Sequence, residues 1–168
     1  METISTKKGL LSFFLAFVSF TATQSSVANT SLSSSSKLTV ASNTFIFNPK
    51  SLTWSAVNSN GKVIRSGKAS GGSKYCRDIG RACKTPSGTY SIIHKRGADC
   101  RSSRYPVGRG GAKMPYCMFF SKYYAIHGSY EVPNYNASHG CIRVKPHDAL
   151  WLHQNFIKIG TKVIVKPY

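Results

Sequence analysis

The sequence predicts a mainly β domain, a sandwich or partly closed barrel, with one short helix near its C-terminus. Three observations predict it. Short runs rich in aromatic and β-branched residues recur over residues 44–165, turn chemistry separates them, and only one stretch carries helix-start signals.

In chain order, Thr44–Phe47, Leu52–Asn58 and Lys62–Ser66 read as strands, broken by Asn48-Pro49 and by Asn60-Gly61, a hairpin signal. Ser70–Ser87 reads as loop, with Gly71-Gly72 near its start and Thr85-Pro86-Ser87-Gly88 at its end. Thr89–His94 alternates as a strand. Ala98–Ala112 is a basic, Gly-rich excursion of about fifteen residues, a length that suits a lid or a substrate rim. Pro115–Ser121 and Tyr123–His127 read as two strands about a turn at Lys122, and Cys141–Val144 as another. The helix spans Pro146–Phe156, with proline at its first position and Asp148 in the first turn, where the dipole favours negative charge. Ala149, Leu152 and Phe156 form its apolar stripe and Trp151 flanks it. Gly160 ends the excursion, and Thr161–Val165 is the closing strand.

Residues 1–28 read as a signal peptide. Lys7 and Lys8 form its basic end, Gly9–Phe20 its apolar core, and Ser26-Val27-Ala28 offers small residues for cleavage after Ala28. The apolar run falls short of the roughly 20 residues a membrane span needs, so the expectation is export to the periplasm or cell wall with no span after cleavage. Residues 29–38, with Ser33–Ser36 in a row, read as a flexible leader, and 39–167 as one domain.

Charge narrows the partners. The chain has 23 Lys and Arg against 5 Asp and Glu, a formal +18. A field of that sign favours polyanions: acidic wall polymers, anionic lipid headgroups or stray nucleic acid. Nucleic acid is set aside, because export argues against it and no recognition motif is present.

Five cysteines occur, an odd number for an exported protein. Cys76 and Cys83 bracket one short basic loop, and Cys100 and Cys117 bracket a Gly- and Arg-rich one, which suggests those two pairs among the three connectivities four cysteines allow. Cys141 is left over. His139 lies two residues before it and His127 fourteen before it, so sulfur and imidazole base occur in one segment, the makings of a thiolate nucleophile for acyl transfer. His127, ending a strand, suits the general base. His139 suits a helper that orients or stacks. Gly140, without a Cβ, leaves room for a substrate carbonyl near the amides of Gly140 and Cys141, an oxyanion hole. Arg143, two residues on, projects to the same side of a strand and suits a substrate carboxylate. Ser138 either holds an imidazole or closes the turn. The scattered histidines and absent Cys-x-x-Cys pair give no metal-ligand spacing, so no metal is expected.

Taken together, His127-Gly128 and Ser138-His139-Gly140-Cys141-Ile142-Arg143 resemble the catalytic motif of the YkuD-type L,D-transpeptidases. Thr85-Pro86-Ser87-Gly88-Thr89-Tyr90 is similar to that family's upstream Thr-Pro-x-Gly stretch, and the resemblance spans roughly Thr39 to Lys166. It implies an L,D-transpeptidase-type β-sandwich with catalytic Cys141, His127 and His139, and substrate contacts at Gly128, Ser138, Gly140 and Arg143. It also implies attack on a peptidoglycan stem tetrapeptide, release of D-alanine, and transfer to an amine on a neighbouring stem, to an acceptor protein at the wall, or to water. It implies no cofactor. A sortase-like enzyme would hold its histidine and arginine much farther from the cysteine, and a papain-type peptidase would reverse their order. A noncatalytic basic wall-binding module would need only the charge.

Overall fold

The computed structural model describes residues 42–168 apart from 106, 107, 109 and 110. The signal peptide and leader expected over 1–38 lie outside the described residues. No helix among these is long and apolar enough to cross a membrane.

Nine strands form one continuous ladder: β1 (Thr44–Asn48), β2 (Thr53–Val57), β3 (Val63–Ser70), β4 (Gly88–Ser91), β5 (His94–Lys95), β6 (Met118–Phe119), β7 (Ala125–Gly128), β8 (Ile142–Val144) and β9 (Lys162–Val165). Their spatial order is β4-β9-β1-β2-β3-β8-β7-β6-β5. The eight-residue β3 belongs to both halves. Its body pairs with β2, and its last two residues, Ala69 and Ser70, pair with Val144 and Arg143 of β8. The expected sandwich is therefore a single sheet folded over about β3.

The two ends of that ladder are neighbours in sequence. Thr89–His94, expected as one strand, splits at Ile92-Ile93 into β4 on one edge and β5 on the other. Ile92 N–H donates to Thr161 C=O at 2.9 Å, whereas Ile93 N–H donates to Phe119 C=O at 2.8 Å. Two adjacent amides thus point to opposite sheet edges, and the curl closes there. Of the expected strand Pro115–Ser121 only Met118–Phe119 pairs, because Pro115 has no N–H and Pro115 C=O is turned to Gly128 N–H.

Alternation explains the core. Phe45 and Phe47 of β1, Trp54 and Ala56 of β2, Ile142 and Val144 of β8, and Val163 and Val165 of β9 point inward at period two and are buried. Gly67 faces Trp54: a Cβ there would lie 2.8 Å from the indole nitrogen, so the glycine makes the space the indole fills.

The helix α1 (Pro146–Trp151) starts as its sequence dictates, with proline in the first turn. Buried Asp148 accepts from Arg65 Nη2 at 2.9 Å, and the Arg65 guanidinium sits 4.8 Å from the Trp151 ring. From Leu152 to Phe156 the winding widens, and Ile157 N–H bonds Leu152 C=O five residues back. The predicted stripe of Ala149, Leu152 and Phe156 is buried. Lys95 Nζ donates to the carbonyls of His153 and Ile157, both at 2.6 Å, and so ties this last turn to β5. Replacing Lys95 with Met should destabilise the domain by about 2 kcal/mol, the order expected for two charge-assisted bonds, as read from urea denaturation. An unchanged midpoint would show that the turn is held by packing alone.

Candidate active site

The site is built on a parallel pair. Ile126 of β7 lies opposite Ile142 of β8, and His127 lies opposite Arg143. The two isoleucines point into the core, so His127 and Arg143 project to the other face. Cys141, two positions before Arg143, joins them, and all three line a cleft of about 320 Å³. The histidine and the cysteine are fourteen positions apart along the chain, yet both line this cleft.

The loop between them is anchored from β3 and the loop that follows it. Ser70 Oγ donates to Tyr135 C=O and accepts from Ala137 N–H, at 2.8 and 3.1 Å. Gly71 N–H donates to Asn136 Oδ1, Gly71 C=O receives Ser138 N–H, and Ser73 N–H reaches Ser138 C=O. Gly72, which pairs with Ser138, donates to Thr85 Oγ1 at 2.9 Å; a Cβ on Gly72 would overlap the Cys83 carbonyl. The buried Thr85 of the Thr-Pro-Ser-Gly stretch therefore holds the segment that braces the loop leading to Cys141.

The turn into Cys141 is clamped by Ser138. Its hydroxyl accepts from Gly140 N–H at 3.0 Å and donates to Cys141 C=O. Of the two sequence readings, this is the turn residue. The same bond corrects the expected oxyanion pair, because the Gly140 amide is already occupied by Ser138, and Cys141 N–H is left as the candidate donor. Gly140 sits at φ +122°, and a Cβ would run into the Tyr124 ring. Gly128 has a packing reason: a Cβ would lie 3.1 Å from Pro115 Cγ and 3.2 Å from Ala149 Cβ. That close approach lets Pro115 C=O receive Gly128 N–H at 2.9 Å.

Two disulfides form, Cys76–Cys83 and Cys100–Cys117, and Cys141 is the free cysteine. Each staples a loop to the site. The first carries Asp78, whose carboxylate lies 2.8 Å from His139 Nε2. The second closes the loop that carries Tyr105, whose ring stacks on His139 at 4.3 Å. His139 is thus held between a carboxylate and a phenol ring.

A family model, the YkuD L,D-transpeptidase catalytic domain, matches residues 43–165. The chain belongs to this family. Among solved structures it is similar to the L,D-transpeptidase of Xylanimonas cellulosilytica, at 29% identity and TM-score 0.65, over 76% of this chain and 62% of that one. L,D-transpeptidase 1 of Mycobacterium tuberculosis (22%, TM-score 0.57, 75% and 62%) shares the fold. So does L,D-transpeptidase 3 of that organism in complex with a faropenem-derived adduct (19%, TM-score 0.61, 75% and 60%). The chain spans about three-fifths of the length of these structures. No curated protein matches it.

In this YkuD domain the resting electrostatics are those of a neutral pair. Burial, helped by the charge of Arg143, pushes the His127 imidazole down to about 4 against a raising backbone bond to Gly128. Burial pushes the Cys141 thiol up, opposed by a backbone hydrogen bond from Ala125 and by Arg143. Both groups are therefore uncharged at neutral pH. His127 Nδ1 lies 2.9 Å from Gly128 C=O, which can only accept, so the proton is on Nδ1 and the Nε2 lone pair is free to act as a base. Arg143 Nη1 rests 3.5 Å from the exposed Glu131 carboxylate, a long contact that an incoming carboxylate can replace.

Cys76, Asp78 and His139 offer three ligand atoms within 4.8 Å of one another, but the Cys76 sulfur is bonded to Cys83, which leaves no thiolate for a metal. Asp78, Ser70, Tyr105 and Asn136 escaped the sequence reading. Each reaches the site from a different loop or strand, and none carries a local motif.

Two outcomes follow. Iodoacetamide should alkylate Cys141 slowly at pH 7, at a rate that keeps rising past pH 9, while the acid limb of kcat/KM should fall near pH 4, where His127 gains its proton. A limb near 6.5, or alkylation already at plateau at pH 7, would show a preformed ion pair. Gly140→Ala should cost about 1–3 kcal/mol in backbone strain alone and lower kcat/KM by about 10²-fold through displacement of the nucleophile, measured by thermal melting and steady-state kinetics.

Proposed function

We propose that this protein is a cysteine-dependent peptidoglycan L,D-transpeptidase that works through an acyl-enzyme on Cys141. The observation that carries the reading is the β7–β8 register, which sets a free imidazole nitrogen and the free thiol on one face of a cleft. Family membership fits it.

In the first half-reaction Cys141 Sγ attacks the carbonyl of the third residue of a stem tetrapeptide while His127 Nε2 takes the thiol proton. Starting from a neutral thiol and a neutral imidazole, proton transfer accompanies attack. The Cys141 amide faces the developing oxyanion. Collapse of the tetrahedral intermediate breaks the amide bond, and His127 returns its proton to the departing D-alanine amine. In the second half-reaction an acceptor amine, or water, attacks the thioester, and the proton travels through the same nitrogen back to sulfur. Arg143 exchanges Glu131 for a stem carboxylate and fixes the donor in the cleft.

The setting is outside the cytoplasm. Two disulfides fit an oxidising compartment, and a formal charge of +18 suits an acidic wall. The segment 1–28 supplies the export signal in this reading.

The mature protein incubated with disaccharide-tetrapeptide should gain the mass of the acyl fragment on Cys141 and release D-alanine. Faropenem should leave an adduct on the same residue. Cys141→Ala should give neither, and His127→Gln should slow acylation about 10²- to 10⁴-fold. Absence of both adducts from protein whose thiol titrates as reduced would sink the reading in favour of a noncatalytic wall-binding role.

A further inference from the structure

Two hollows meet at Cys141: the His127 cleft, in which Glu131 lies beside Arg143, and a groove of about 620 Å³. Arg81, Arg96, Arg101, Arg104 and Lys122, from four segments, line that groove, and no carboxylate does. Both hollows belong to the site already described. A third cationic surface touches neither of them. It is the outer face of the half-sheet β4-β9-β1-β2-β3. Phe45, Trp54, Ala56 and Val163 point from these strands into the core, so their neighbours Thr44, Thr53, Ser55 and Lys162 point out. Lys68 lies opposite Thr53 and Ser66 opposite Ser55, which puts them on the same side. The core cluster that backs this face also contains Ile126 and Ile142, so the face lies across the core from Cys141.

Its charge is of one sign. Lys162 and Lys166 stand on and just after β9, Lys68 on β3, and Lys50 and Lys62 in the turns at the two ends of β2. All five are exposed, and none forms an ion pair among the described residues. Residues 42–72, 84–97 and 157–168, which supply this half-sheet, contain no Asp or Glu. Three ladder spacings of about 4.8 Å set the lysines of β9 and β3 roughly 14 Å apart, and Lys162 and Lys166 lie roughly 13 Å apart along the chain. A single small anion meets one or two of these charges. An extended ligand with repeated anions meets them all. Between the lysines the surface is uncharged: the hydroxyls of Thr44, Thr53, Ser55, Ser66 and Thr89 surround the half-buried Ile46 and Ile164.

We propose that this face binds a polysaccharide that carries phosphate groups, and so holds the protein in the cell envelope with the Cys141 cleft on the side away from the tether. The proposal extends the extracellular setting read above and does not depend on the acyl-enzyme. Lysine meets a phosphate oxygen as a point charge, without the planar fork by which arginine pairs with a carboxylate. The one arginine of these strands, Arg65, is turned to Asp148 and takes no part in the face. The hydroxyls both donate and accept, as sugar hydroxyls do, so the centre of the face suits a glycan backbone. None of the outward residues named is aromatic. The face therefore offers neither a wedge for a bilayer interface nor a platform for stacked bases.

The test is biolayer interferometry on the mature protein against three phosphate scaffolds at equal phosphate: dextran phosphate, duplex DNA and phosphatidylglycerol vesicles. Dextran phosphate should bind at least about 5-fold more tightly than the other two, and unmodified dextran should not bind. Lys68→Gln, Lys162→Gln and Lys166→Gln combined should weaken dextran phosphate binding at least about 10-fold and lower the slope of log K against log salt by about 2 to 3. Ser55→Ala with Ser66→Ala should weaken it about 3-fold and leave DNA binding unchanged. Arg96→Gln with Arg101→Gln, in the groove beside Cys141, should stay within about 2-fold of the unaltered protein. Acetylation footprinting of the unaltered protein gives a reading free of any variant's folding: Lys68, Lys162 and Lys166 should react more slowly when dextran phosphate is bound. Cys141→Ala should bind as the unaltered protein does, so a failed acyl-enzyme reading leaves this test standing. Equal or tighter binding of DNA or vesicles, a lysine triple that binds undiminished, a groove variant that loses as much as the triple, or no protection of the three lysines would each overturn the proposal.

Discussion

Parallel pairing of β7 with β8 is the constraint from which the rest of the site follows. Once Ile126 and Ile142 are committed to the core, His127, Arg143 and Cys141 have no choice of face. A slip of one residue would bury the arginine and turn the isoleucine outward, an exchange no core of this kind tolerates. Hydrophobic burial therefore sets the position of these three side chains, and the polar network around them refines it. Ser138 ties the turn, Thr85 and Gly72 brace it from behind, and Ser70 and Asn136 fasten the connecting loop.

The same burial sets the chemistry. A buried histidine and a half-buried cysteine favour their uncharged forms, so the pair waits as thiol and imidazole, with the tautomer fixed by the Gly128 carbonyl. Arg143 then has two effects of opposite value. Its charge stabilises a thiolate and disfavours an imidazolium. Around this neutral centre the protein places its charge at the rim, and it does so asymmetrically, since one hollow is nearly balanced and the other is wholly cationic.

Much of this was legible in the chain itself. The alternation of Phe45, Phe47, Trp54 and Ala56 marks strands, and Pro146 with Asp148 marks the start of the helix. The odd cysteine count isolates Cys141, and the bracketing of two basic loops indicates the pairs that form. What stayed hidden has a common cause. Asp78 and Tyr105 reach His139 from loops 61 and 34 positions away, and nothing in Arg77-Asp78-Ile79 distinguishes a carboxylate that meets a histidine from one that meets solvent. The split of Thr89–His94 was hidden for a similar reason, because a short alternating run does not reveal that its two isoleucines bond to opposite edges of the sheet.

Local chemistry in the sequence determined the element types, the unpaired cysteine and the glycines, because propensity, turn residues and side-chain reactivity are properties of a residue and its near neighbours. Tertiary structure alone decided that Ser138 rather than a substrate takes the Gly140 amide, that His139 is gripped from two disulfide loops, and that five basic residues from four segments face one groove. Those are facts of closure. They depend on which distant segments the folded sheet brings within a few ångströms, and no period or motif along the chain records that distance.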